Sequence, residues 1–299
     1  MCIEALQTPE FVQVAGILGA QGYQSRDVIQ LVAAVTDDPA SHHPVARIAP
    51  LVAKAGFSDD LRLLERYVLL TAAVEALGRL PALAVSEDVK ALFCEAFRSY
   101  AAAPGESAGR FAAGTASFAG MCKTATLRRF PAGQFEWEVS GISRSDLLAV
   151  GARHLLPTLL FVARRMRGRG PVFFSHLNWR RGSRSLLESE ANRSYYRMAQ
   201  ALRLQPAIKG FAACSWFRSP ATQRVSPHLA WLSRVFLENG GFVVEAGADS
   251  PESGVLHRSA TRRRLYEAGE FRPTKGLVMW PRDAMIAWAE THPELATIE

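Results

Sequence analysis

A chain of 299 residues that is 48% hydrophobic, with a mean hydropathy of +0.01, is long enough to bury one large core or two smaller ones. No apolar run approaches the ~18 to 20 residues that span a bilayer, since even LLAVGARHLLPTLLFVA is broken by Arg153, His154 and Pro157. The net charge of +7 is unevenly spread: residues 1–120 carry 9 Lys and Arg against 13 Asp and Glu, net −4, and the remainder carries 26 against 15, net +11.

Of the 35 basic residues 30 are arginine. The guanidinium fork matches carboxylate and phosphate, so the basic part suits a small anionic or phosphate-bearing substrate. Cys2, Cys94, Cys122 and Cys214 are widely separated and form no C-x-x-C pair. That argues against a disulfide framework and a structural zinc site, and points to reduced thiols in a cytoplasmic protein. The start, MCIEALQTPEF, has no basic segment followed by an apolar run, so no secretory signal is expected.

From Thr8 to about Tyr100 apolar residues recur at helical spacing, as in Leu61, Leu64, Val68, Leu69, Ala72 and Leu77. Ser25, Ser58 and Ser86 each precede acidic first-turn residues and read as helix N-caps. The segment predicts a helical bundle over residues 1–105. Its negative charge argues against DNA binding through a helix-turn-helix. His42 and His43, near Asp37 and Asp38, read as a polar loop rather than a metal site, because adjacent side chains seldom reach one ion. Residues 106–120, rich in Gly, Ala and Ser, predict a linker.

Residues 121–299 alternate between strand and helix patterns. KTATLRRF and QFEWEVSGI predict a hairpin around Pro131–Gly133, and a long helix from Ser143 or Ser145 to about Met166 follows, kinked at Pro157. Strands are expected in PVFFSHLNW, IKGFAACSWF, GGFVVEAGA and TKGLVMW, with helices between and after them. The fold class is therefore α/β (α+β): an N-terminal helical bundle followed by a mixed sheet with flanking helices.

Arg165 to Gly170 spell R-x-x-G-x-G, the pattern with which acetyltransferases of the GNAT type hold the pyrophosphate of coenzyme A. That use requires a strand before the loop and a helix after it, and here the order is reversed. The glycines are read instead as a helix C-cap, which leaves the cofactor unassigned.

The densest run of polar residues is Phe173 to Trp216. Alternation along FFSHLNW puts His176 and Asn178 on one strand face near its C-terminal end, where open α/β sheets bind ligands. His176 is the candidate acid/base, Glu190 its orienting carboxylate, and Ser215 a catalytic hydroxyl or hydrogen-bond donor. Asn178, Arg193, Trp216, Arg218, Arg258 and Arg262 are the candidate substrate contacts, Arg258 and Arg262 as i, i+4 neighbours on one helix. His176, Glu190 and Ser215 are expected to converge in one pocket, with no metal. The expected function is group transfer, acyl transfer first, on a small anionic substrate. The alternative is a noncatalytic nucleic-acid-binding or regulatory module using the +11 half, although no RNA-binding signature accompanies the charge.

Overall fold

The computed structural model describes residues 9–20, 24–37, 61–101, 116–178, 186–250 and 254–296. It divides into two compact units, Met1–Pro131 and Ala132–Glu299.

The first unit is built from helices α1 (Pro9–Ala20), α2 (Ser25–Asp37), α3 (Leu61–Arg79), α4 (Glu87–Ala101) and α5 (Ala116–Ala125), and ends in strand β1 (Arg129–Pro131). Helical spacing decides what is buried: Val28 and Val32 on α2, and Val89, Phe93, Phe97 and Tyr100 on α4, all lie on inward faces. Arg66 closes the far end of α4 by donating to the Tyr100 and Ala101 carbonyls, two of the acceptors a helix leaves open at its C-terminus. The N-cap of α2 is Gln24, one residue before the expected Ser25: the Asp27 carboxylate accepts from the Gln24 amide at 2.8 Å. Ser58 and the His42–His43 loop lie outside the described residues, as do residues 106–115 of the expected linker.

Residues 116–120 of that linker are helical. Phe118, Met121, Cys122 and Ala125 are buried at i, i+3, i+4 and i+7, so the small residues allow close packing where composition alone suggested a loop. The expected strand KTATLRRF is correspondingly shortened. Its first residues finish α5, and the extended segment begins only at Arg129, after Leu127 with φ +60°.

The second unit comprises β2 (Phe135–Ser140), α6 (Arg144–Leu148), α7 (Ala152–Arg164), β3 (Val172–Leu177), α8 (Glu188–Leu204), β4 (Gly210–Ser215), α9 (Pro220–Val225), α10 (Trp231–Glu238), β5 (Phe242–Ala248), α11 (Ala260–Glu267), β6 (Thr274–Pro281) and α12 (Arg282–Glu290). The long helix expected from 143 to 166 is two helices: Ser143 caps the first, and the second starts after Gly151 at φ +76°. Pro157 lies within α7.

The sheet of the second unit is mixed, its strands in the order β2-β3-β4-β6-β5. β2 and β3 are antiparallel, β3 and β4 parallel, and β6 runs antiparallel to both β4 and β5. Pairing registers define two faces, because side chains directly opposite one another point the same way. One face carries Glu138, Phe174, His176, Ala212, Cys214, Leu277, Met279 and Val244, and its apolar members pack with Leu147 of α6 and Phe161 and Val162 of α7. The other carries Phe135, Trp137, Phe173, Ser175, Phe211, Ala213, Ser215 and Trp280. Tyr195 of α8 covers it, stacked on Phe135 at 5.4 Å and edge-on to Phe211 at 5.6 Å, together with Phe236 of α10 and Trp288 of α12.

Candidate active site at the parting of two parallel strands

The β2–β3 and β4–β6 ladders each run through six residue pairs, whereas β3 and β4 pair only at Phe173↔Phe211 and Phe174↔Ala212. Beyond those pairs the C-terminal halves, Ser175–Leu177 and Ala213–Ser215, are not held to each other in the sheet. A parallel pair that separates toward its C-terminal ends leaves a gap edged by backbone donors and acceptors, at the end of the strands where open α/β sheets receive ligands.

His176 stands at this gap. Its Nε2 lies 3.0 Å from Glu138 Oε1, with both side chains partly shielded. Glu136 is directly opposite His176 and Glu138 is its diagonal neighbour, a distance that a Glu and a His side chain can bridge. A carboxylate only accepts, so in the neutral ring Nε2 carries the hydrogen and Nδ1 the lone pair. The ring of Phe174 flanks the imidazole, 5.5 Å between centroids. The pair has the geometry of an oriented base: a carboxylate that fixes the tautomer leaves one nitrogen able to take a proton.

The expected convergence of His176, Glu190 and Ser215 does not occur. Glu190 belongs to α8, which covers the opposite face, and its carboxylate accepts from Arg193 Nη1 at 3.4 Å. Ser215 also faces that side, with a buried hydroxyl that has no hydrogen-bond partner among the described residues. The reason is the two-residue period of a strand: Cys214 and Ser215 must take opposite faces, and it is Cys214 that shares the face of His176. The orienting carboxylate missed from sequence is Glu138. Its signal was the alternation in Phe135-Glu136-Trp137-Glu138, which puts two carboxylates on one face of a strand able to pair with β3.

Cys214 is half-buried, and burial, reinforced by the Asp146 carboxylate, pushes its thiol up to about 12, so it is no nucleophile at neutral pH. Asn178 braces the hairpin: its side chain donates to the Gly133 carbonyl at 3.0 Å and its backbone amide to the Gln134 carbonyl at 2.9 Å. Arg193 keeps a buried Nε without a partner. Arg262 is no exposed clamp. It is buried, donates to the Val255 carbonyl at 2.6 Å and to Ser226 Oγ at 2.9 Å, and lies over the Trp216 ring at 4.9 Å. Arg258 precedes α11, which begins at Ala260, so the expected i, i+4 pair on one helix does not form. Arg218 is almost fully buried and donates to the Tyr195 hydroxyl at 3.2 Å.

The R-x-x-G-x-G segment terminates α7. Gly168, at φ +117°, donates back to the Val162 carbonyl, Lys209 caps the Arg167 carbonyl, and β3 begins at Val172. The motif therefore lies at the N-terminal end of β3, away from the gap. Among the described residues no group of three His, Cys, Asp or Glu side chains is placed to hold a metal ion, and no helix is long and apolar enough to cross a membrane.

In sequence, no protein-family model and no curated protein matches the chain. In structure, it is similar to an acyltransferase crystallised with decanoyl-CoA and teicoplanin, with a TM-score of 0.51 at 14% identity over 93% of this chain and 86% of that one. The likeness is one of fold. A crystal structure of an acyltransferase in complex with decanoyl-CoA matches with a TM-score of 0.49 at 14% identity, over 75% of this chain and 68% of that one.

Proposed function

We propose that the chain is an acyltransferase whose donor is a phosphate-bearing thioester of the coenzyme A type, seated at the parting of β3 and β4. The observation that carries this is the His176–Glu138 pair at the lip of that gap. The fold shared with an acyltransferase crystallised with decanoyl-CoA and teicoplanin supports it. So does the connection from β3 to α8, whose sequence holds Arg180, Arg181, Gly182 and Arg184 between a strand end and a helix start. Arginines and a glycine at such a junction suit phosphate groups, and Arg193 offers a free donor on the first turns of the same helix.

In the reaction, His176 Nδ1 takes the proton of an acceptor amine or hydroxyl as that nucleophile attacks the thioester carbonyl. The carbon–sulfur bond breaks, the thiolate leaves with the electron pair and is protonated, and the acyl group stays on the acceptor. Glu138 holds the ring and stabilises the imidazolium formed on the way. Release of free thiol from decanoyl-CoA, followed colorimetrically with a panel of amines and alcohols, tests the proposal. His176→Ala is expected to lower kcat by about a hundredfold or more. Glu138→Gln is expected to lower kcat by about tenfold or more while KM for the thioester stays within about twofold. Unchanged turnover in His176→Ala removes its basis.

A further inference from the structure

The face of the sheet opposite His176 holds a group of polar side chains that the proposed reaction does not use. Ser215 pairs with Gly276, and a Cβ at Gly276 would run into the Arg218 carbonyl, so the turn bearing Arg218 lies on this face beside Ser215. From there the guanidinium reaches back over the sheet, its carbon 5.0 Å from the Phe135 ring on β2 and 5.7 Å from the Phe211 ring on β4. A cation close to rings on β2 and β4 crosses β3 between them, and the residue of β3 that follows Phe173 on this face is Ser175. Arg218 thus lies under the parting of β3 and β4.

Its environment is incomplete. Arg218 is 1% exposed, and a guanidinium keeps its charge in any protein interior, yet among the described residues no carboxylate lies within ion-pair distance of it. It makes one hydrogen bond, from Nη2 to Tyr195 Oη, and its buried Nε–H has no acceptor. Among the described residues the buried hydroxyls of Ser175 and Ser215 have no partner, and the hydroxyl of the fully buried Tyr195, which accepts from Arg218, donates to none. Four donors on this face of the sheet therefore have no acceptor among the described residues, and an uncompensated buried cation is destabilising.

We propose that Arg218, Tyr195, Ser175 and Ser215 form a buried receptor for the carboxylate of a small ligand that enters through the β3–β4 parting. A carboxylate offers about four acceptor directions on two oxygens, matching four donors, and its single charge matches one guanidinium. The surrounding Phe135, Phe211 and Phe217 rings provide no second cation for a phosphate dianion. The receptor is independent of acyl transfer, because it is read by binding and not by turnover.

The test is thermal unfolding of the full chain in sodium acetate, sodium phosphate or sodium chloride at matched ionic strength. About 50 mM acetate is expected to raise Tm by about 3 °C relative to chloride, with a smaller rise in phosphate. Arg218→Met is expected to lose the acetate increment and, with the lone charge gone, to unfold in chloride at or above the wild-type temperature. If that variant does not fold, a crystal of the wild-type chain soaked in acetate decides: acetate on Arg218 Nε and Tyr195 Oη supports the receptor, and water alone there overturns it. No acetate-specific shift, an equal shift in chloride or phosphate, or a shift retained by Arg218→Met also overturns it.

Discussion

Cys214 shows how one side chain is set by its place on a strand. Its thiol shares a face with His176 and packs against the aliphatic cluster under α7, and burial raises its pKa from 9.0 to about 12. At pH 8 only about one molecule in ten thousand would carry the thiolate, so alkylation of Cys214 by iodoacetamide should be far slower than that of a small free thiol, as mass spectrometry of the peptide would show. The same shift has a stability consequence. The folded state holds the proton more tightly than the unfolded one, so this contribution is complete below pH 9 and is lost as pH rises from 9 towards 12. Urea unfolding of the wild type should therefore weaken more between pH 8 and pH 10.5 than that of Cys214→Ala, and equal slopes would contradict the burial account.

Among the elements, β6 is the one that fixes the others. It pairs with β4 on one side and β5 on the other, and Gly276 lets the turn after β4 sit directly on it. A methyl at 276 would meet the Arg218 carbonyl and the Ser219 amide, which are backbone and cannot rotate away. Gly276→Ala is expected to cost about 3 kcal/mol or more, measured by urea unfolding, and to disturb Arg218 with it. The parting of β3 and β4 also belongs to this scale. Six pairs with β2 hold β3 and six pairs with β6 hold β4, so the two strands can separate beyond Phe174 and Ala212 without either losing its outer partner.

At the scale of the molecule, two compact units each enclose their own core, one centred on Val68, Phe93 and Phe97 and the other on the aromatic layer of Phe135, Tyr195, Phe211, Phe236 and Trp280. Calorimetry should resolve two unfolding transitions. Phe97→Ala, which opens a cavity in the first unit at a cost of about 3 to 5 kcal/mol, should lower one transition and leave the other in place. Gly276→Ala should do the reverse. A single transition shifted equally by both variants would show that the units unfold together.

The mixed α/β class, the strand at Val172–Leu177, the helix from Glu188 and the sheet end at which His176 stands were legible in the chain, because local periods of 2 and 3.6 residues report which element forms and which side chains share its face. Strand period also separates Cys214 from Ser215. What sequence could not supply was the partner of each face. Glu138 rather than Glu190 meets His176 because β2 pairs with β3 in one register out of several that the pattern allows, and α8 covers the other side of the sheet. Residues 116–120 became helix, and Arg262 went inside, for the same reason: composition marks residues as small or charged, while burial and hydrogen bonding are decided by what tertiary packing brings against them.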